Sequence, residues 1–244
     1  MHTTAGKHVL ILGANSDVAK QAIKLYVEQG CSVIAASRST DELHRFVREQ
    51  VGAPEKVTVQ YFDAVAFDTH QAFYDSLPVK PHIVVYAAGF QVTNEEALVN
   101  WKGSYQMMNV LYCGAVSILN IIATDASNNN LERIVGLSSL SGVRGRKSNF
   151  IYGSTKAAFT TYLAGLRQHL AARKVRVNAI VAGYIRSKLT AHLSLPESLL
   201  LEPIFIARVI VNPPKRFTIV PGFKWKIIYN ILRLLPEGLV AKLP

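Results

Sequence analysis

Short apolar runs rich in β-branched residues alternate with longer helical patterns along most of the 244-residue chain, and this rhythm restricts the fold more than any other feature. Strands are expected over 8–12, 32–37, 57–62, 83–87, 133–138, 175–181 and 216–220. Helices are expected over 16–29, closed by Gly30 as a C-cap, and over 41–50, 100–123, 152–172 and 196–211. Strands that take turns with helices build βαβ units and a parallel sheet. Because the strands are continuously apolar, both sheet faces must be covered by helices. The fold class is therefore α/β, a doubly wound parallel sheet. The length suits a single domain, here taken as 1–221, followed by a basic amphipathic tail over 222–244.

Composition excludes several classes. Half the residues are hydrophobic and only 18% are charged, which argues against disorder. Cys31 and Cys113 have no metal-ligand or disulfide spacing, and the seven histidines are scattered, so no metal is expected and a reducing cytoplasm is. No signal peptide fits the first residues, and no uninterrupted apolar run reaches the roughly 20 residues needed to span a bilayer.

In doubly wound sheets ligands bind beyond the carboxyl ends of the strands. After the first strand come Gly13, Ala14, Asn15, Ser16, Asp17, Val18 and Ala19. Gly13 permits a tight turn, and small residues let a pyrophosphate approach a helix N-terminus. The usual glycine fingerprint is degraded, since Asp17 and Ala19 stand where glycines are expected; an ordinary turn with Ser16 as N-cap is the alternative. The second strand ends in Ser37 and Arg38, with no acid to bind a ribose 2′-hydroxyl. Arginine there suits a 2′-phosphate and so NADP, with an ordinary surface arginine as the alternative. Asp63 and Ala64 follow the third strand, with Asp63 either receiving an adenine amino group or capping a turn. Ala87, Ala88 and Gly89 close the fourth and let a cofactor lie flat.

Ser139 follows the fifth strand, and Tyr152 and Lys156 stand four apart at the start of the next helix, on one face. An ammonium beside a phenol favours the phenolate, so Lys156 is expected to pull Tyr152 toward a general acid/base useful near neutral pH. Ser139 can hydrogen-bond a carbonyl oxygen as charge develops on it. A tyrosine and a lysine four apart are common surface neighbours; the Ser-Ser-x-x-Gly turn and the step from Ser139 to Tyr152 make the set specific.

Over roughly residues 7 to 190 the chain resembles the short-chain dehydrogenase/reductase family. The resemblance rests on GANSDVA from Gly13, Asp63, AAG at 87–89, Asn109 in MMNV, SSLSG at 138–142, YGSTKAA at 152–158 and VNAIVAGYIRS at 177–187. It implies a Rossmann-like sheet of about seven strands, an NADP cofactor and a carbonyl or alcohol substrate. Asn109 then supports a water-borne proton relay to Lys156, Lys156 also holds the nicotinamide ribose, and Gly183 and Ile185 contact the nicotinamide amide. A homo-oligomer is expected. Tyr86 departs from the family's asparagine, and the usual C-terminal ending is absent. Relatives with similar loops and tails reduce lipid-linked keto-sugars or keto-lipids, so a lipid-linked or hydrophobic ketone is the expected substrate. A non-catalytic cofactor-binding or scaffold protein is the alternative.

The chain carries a net charge of +11, and from Leu201 onward seven cations face two carboxylates. Phe223, Ile227, Ile231 and Leu234 step along one side of a helix, with Lys226, Asn230, Arg233 and Glu237 along another. Such a helix suits the surface of a membrane, making the protein cytoplasmic or peripheral. A tail docked on the body or on a partner subunit fits equally. No nucleic-acid motif accompanies the charge, and no nucleic-acid partner is expected.

Overall fold

The computed structural model describes residues 4–191 and 193–242. Its first strand, β1 (His8–Leu12), sends Val9 and Ile11 into one core and Leu10 and Leu12 into another. This is the two-residue period of a strand buried on both faces. The pattern repeats in β2 (Ser32–Ser37) and β4 (Ile83–Tyr86), while β3 (Val57–Tyr61) is half exposed at one edge. With β5 (Arg133–Ser139), β6 (Arg176–Ala182) and β7 (Thr218–Ile219) the parallel sheet has the order β3-β2-β1-β4-β5-β6-β7. The order reverses between β1 and β4, which opens a crevice beyond their carboxyl ends. Each fully buried aliphatic side chain here contributes about 1.5–3 kcal/mol.

One face is covered by α1 (Asp17–Glu28), α2 (Thr40–Gln50) and a helix near the C-terminal end. The other is covered by α3 (His70–Asp75) and by a rod that runs through α5 (Trp101–Met108) and α6 (Gly114–Thr124), with α4 (Asn94–Val99) leading into it. Between α5 and α6 the residues Asn109–Cys113 form a π-helical turn. The uniform helix expected over 100–123 is thus interrupted at the residue singled out there. By length and composition Trp101–Thr124 could cross a membrane, yet more than half of its most apolar window is buried against the sheet.

The long helix α7 (Phe150–His169) starts two residues before the expected position; a 3₁₀ turn over Ala171–Arg173 follows it and closes as Lys174 turns left-handed, φ 57°. The helix expected over 196–211 is split. Glu197–Leu199 is a single 3₁₀ turn, Glu202 is extended, and α8 (Pro203–Val211) begins with its proline at the first position. Proline forces the residue before it out of the helical region and suits a helix start. The last strand shrinks to two residues because Pro214 and Pro221 flank it and cannot donate to a ladder. The tail forms α9 (Phe223–Leu234) and α10 (Glu237–Val240). Its Trp225 and Leu232 belong to the main core, so the tail beginning at residue 222 packs as part of the domain.

Candidate active site

The carboxyl ends of β1, β2, β4, β5 and β6 open into one cleft of about 390 Å³. The loop after β1 forms its floor. Gly13 has φ +83°, and a Cβ there would overlap the backbone of Ala88, so only glycine lets this loop sit on the end of β4. Ser16 caps α1, its Oγ accepting the N–H of Ala19 at 3.2 Å. Asn15 Nδ2 donates to Ser37 Oγ at 2.9 Å and to the Ser39 carbonyl at 2.8 Å, tying the first two strand ends together. Its Oδ1 is buried without a protein partner.

Asp17, Val18, Ser37 and Arg38 line the cleft beside this floor, and Asp63 and Ala64 line it from β3. One Asp63 carboxylate oxygen accepts the N–H of Val65, the turn-capping role foreseen as an alternative, while its carbonyl accepts from His70 Nε2 at 2.9 Å. His70 is fully buried and also meets Ser117 Oγ, so it fixes this loop in its neutral form; burial holds its pKa down. Ala87, Ala88 and Gly89 form the wall opposite.

Asp17 also explains one departure from the glycine fingerprint. Its Oδ2 accepts the backbone N–H of Lys188 at 2.7 Å, reaching from the first loop to the segment after β6. Lys188 Nζ binds Glu42 Oε1 at 3.0 Å, and Lys20 binds the same oxygen at 2.7 Å. Glu42 faces the cleft and was not foreseen. Its carboxyl is held below the usual range by hydrogen bonds from these two lysines, so it is engaged rather than free.

Ser139, Tyr152 and Lys156 meet on the wall formed by β5 and α7. Ser139 Oγ accepts the N–H of Ser141 at 3.2 Å, which fixes the turn after β5. Ser141 Oγ in turn accepts from Arg146 Nη2 at 3.2 Å and Asn149 Nδ2 at 3.0 Å, and both Ser141 and Asn149 line the cleft. Neither had a readable signal, Ser141 lying inside the SSLSG turn and Asn149 in a polar loop. Tyr152 keeps an edge open to the cleft, but burial pushes its hydroxyl up to about 12, with Ser139 pulling the other way by less. Lys156 is buried, 5.9 Å from the Tyr152 ring centre, and donates to the Leu137 carbonyl at 2.8 Å. Burial alone brings its pKa down to about 8. Burial raises the phenol and lowers the amine, because desolvation disfavours both charged forms.

Asn109 is buried behind this wall in the π-turn; its neighbour Val110 lines the cleft and Asn109 does not. Tyr86, the second departure from the family pattern, donates its hydroxyl to the Val110 carbonyl at 2.6 Å and so holds the π-turn against the sheet. Gly183 and Ile185 lie on the β6 side. A Cβ on Gly183 would overlap the indole of Trp225, so the tail helix is built directly against this wall. Trp225 also meets Tyr184 edge-on at 5.0 Å and donates to the Leu199 carbonyl at 2.8 Å. No signal in the sequence linked Trp225 to this wall.

Residues 7–198 match the family model described as short chain dehydrogenase. An uncharacterised oxidoreductase of Myxococcus xanthus is 26% identical, over 94% of this chain and 93% of its own length. A 3-oxoacyl-(acyl-carrier-protein) reductase of Thermotoga maritima is 27% identical, over 77% and 78%. A short-chain dehydrogenase of Burkholderia cenocepacia, solved in complex with NADP, superposes with a TM-score of 0.82 at 16% identity, over 97% of each chain.

Proposed function

The chain belongs to the short-chain dehydrogenase family, and from that premise we propose that it is an NADP-dependent reductase that converts a hydrophobic, lipid-like ketone to its alcohol. The observation that carries this reading is the convergence of Ser139, Tyr152 and Lys156 on one end of a cleft whose other end carries Arg38. The cofactor's fit is supported by two features: the cradle at Gly13, and the buried, unpartnered Oδ1 of Asn15 beside it.

Several residues would hold NADP. Gly13, Asn15, Ser16, Asp17 and Val18 receive the pyrophosphate end, with the N-terminus of α1 directed at it. Ser37 and Arg38 receive the 2′-phosphate, and Asp63 and Ala64 the adenine. Ala87, Ala88 and Gly89 support the nicotinamide ribose, with Gly183 and Ile185 at the ring. Glu42 cannot serve a ribose hydroxyl as a free acid does, because Lys20 and Lys188 engage it. When bound, the reduced cofactor supplies a hydride to the carbonyl carbon.

The chain's own residues do the rest. Ser139 donates to the carbonyl oxygen and stabilises the negative charge that develops there. Tyr152 gives its hydroxyl proton to the same oxygen, so hydride plus proton yield the alcohol. Lys156 holds the ribose hydroxyls and passes the replacement proton, with the Asn109 turn behind it. Leu189 and Leu193 in the cleft lining support an apolar substrate. Exposed Leu98, Val99, Trp101 and Tyr105 on α4 and α5 form the surface on which a second copy would sit.

Tyr152→Phe tests the reading, because it removes one hydroxyl. NADPH should still bind, while turnover with a panel of long-chain ketones falls by about 10²-fold or more. Near-normal turnover by this variant would sink the assignment. NADPH binding without turnover by the unaltered protein would favour the non-catalytic alternative.

A further inference from the structure

Helix α9 presents an apolar surface on two sides. Its inner side is fixed: Trp225 and Leu232 are 5% and 7% exposed, and Ile228 and Tyr229 pack beside them. Arg144 Nη2 donates to the Arg233 carbonyl at 2.9 Å and Lys224 Nζ to the Ser198 carbonyl at 3.0 Å, so polar ties join the helix to two other segments. Such a helix cannot roll to hide its other side. Phe223, Ile227, Ile231 and Leu234 stand there in one line, 77%, 46%, 53% and 83% exposed. Single exposed apolar residues are ordinary, but four aligned on one helix mark a contact surface.

Charge selects what covers it. The twelve residues of α9 contain Lys224, Lys226 and Arg233 and no carboxylate. The apolar patch on α4 and α5 differs, since Glu95 and Glu96 stand on α4. A second copy seated symmetrically on α9 would bring the same three cations against these. A negatively charged surface with an apolar interior meets both demands.

We propose that the outer face of α9 docks on an anionic lipid bilayer, with Phe223, Ile227, Ile231 and Leu234 in the headgroup boundary and the flanking cations against lipid phosphates. Docking in this pose leaves the inner face packed, so the helix need not detach from the body. Because Trp225 rests on the Gly183 wall, the cleft is held at a fixed orientation to the bilayer. The proposal rests on the tail geometry and does not depend on the catalytic reading.

The full-length protein is sedimented with phosphatidylcholine vesicles, with and without phosphatidylglycerol, at low and high salt. The protein should pellet with the anionic vesicles and be released by salt. The variant Phe223→Asp/Ile227→Asp/Ile231→Asp changes only exposed side chains and should keep the parent's melting temperature, while partitioning falls by about tenfold or more. Lys226→Gln should weaken binding at low salt and narrow its salt dependence. Three results would overturn the proposal: no pelleting with anionic vesicles at low salt, equal pelleting by parent and triple variant, or a parent dimer that ignores vesicles and becomes monomeric in the triple variant.

Discussion

At Tyr152 and Lys156, burial pushes an acid and a base toward their neutral forms at the same time. For Lys156 the folded value of about 8 lies below the ordinary 10.5. Between these values the unfolded chain binds more protons, so this residue's contribution makes stability rise with pH across that window. Its penalty is complete below about 8. The unfolding free energy of the parent, minus that of Lys156→Met, should therefore climb from pH 8 toward pH 10 in urea titrations; a flat difference would contradict the burial of this amine. Arg38 offers a second test. It takes part in no ion pair among the described residues, and no acid precedes it at the end of β2. Arg38→Ala should weaken NADPH by about 1.5–3 kcal/mol, the range for a hydrogen bond to a charged group, and leave NADH nearly unchanged. Fluorescence titration of both cofactors decides this, and equal weakening would refute the 2′-phosphate role.

At the scale of elements, the π-turn Asn109–Cys113 shows how a sequence departure becomes intelligible. Tyr86 fills the place of the family's asparagine and supplies the hydroxyl that satisfies the Val110 carbonyl. Tyr86→Phe removes that buried hydrogen bond, which costs about 0.5–1.5 kcal/mol. The turn should loosen, and turnover should drop more than NADPH affinity; a stability loss with unchanged turnover would mean the bond is only structural. The strands and the helices over 16–29 and 41–50 were legible because their periodicity is strong and their caps ordinary. The short helices α3 and α4 span only six residues each, too few for a period to emerge. The π-turn has no pattern of its own, since one extra residue per turn leaves composition unchanged. In α9 the sequence shows two apolar stripes, one through Phe223 and Ile227 and another through Trp225, Ile228 and Leu232. Periodicity alone does not say which one the core takes. The cleft-lining residues on strand ends were readable from the motifs, whereas Glu42, Ser141, Asn149 and Trp225 reach the cleft or its wall through folding contacts between distant segments.

At the scale of the whole molecule, the distribution of its two tryptophans has a practical consequence. Trp101 lies on the exposed patch of α5, while Trp225 is buried against Gly183, Tyr184 and Leu199. The second indole is thus part of the wall against which the nicotinamide is proposed to lie, and its excited state would transfer energy to a reduced ring beside it. Replacing Trp101 with Phe alters an exposed side chain and leaves one emitter. Addition of NADPH should quench that emission and excite the nicotinamide fluorescence through the indole, whereas NADP⁺, whose ring does not absorb the indole emission, should leave it largely unquenched. Turnover could then be followed from inside the protein as the donor brightens with each conversion of reduced to oxidised ring. An indole signal insensitive to saturating NADPH would place the nicotinamide elsewhere.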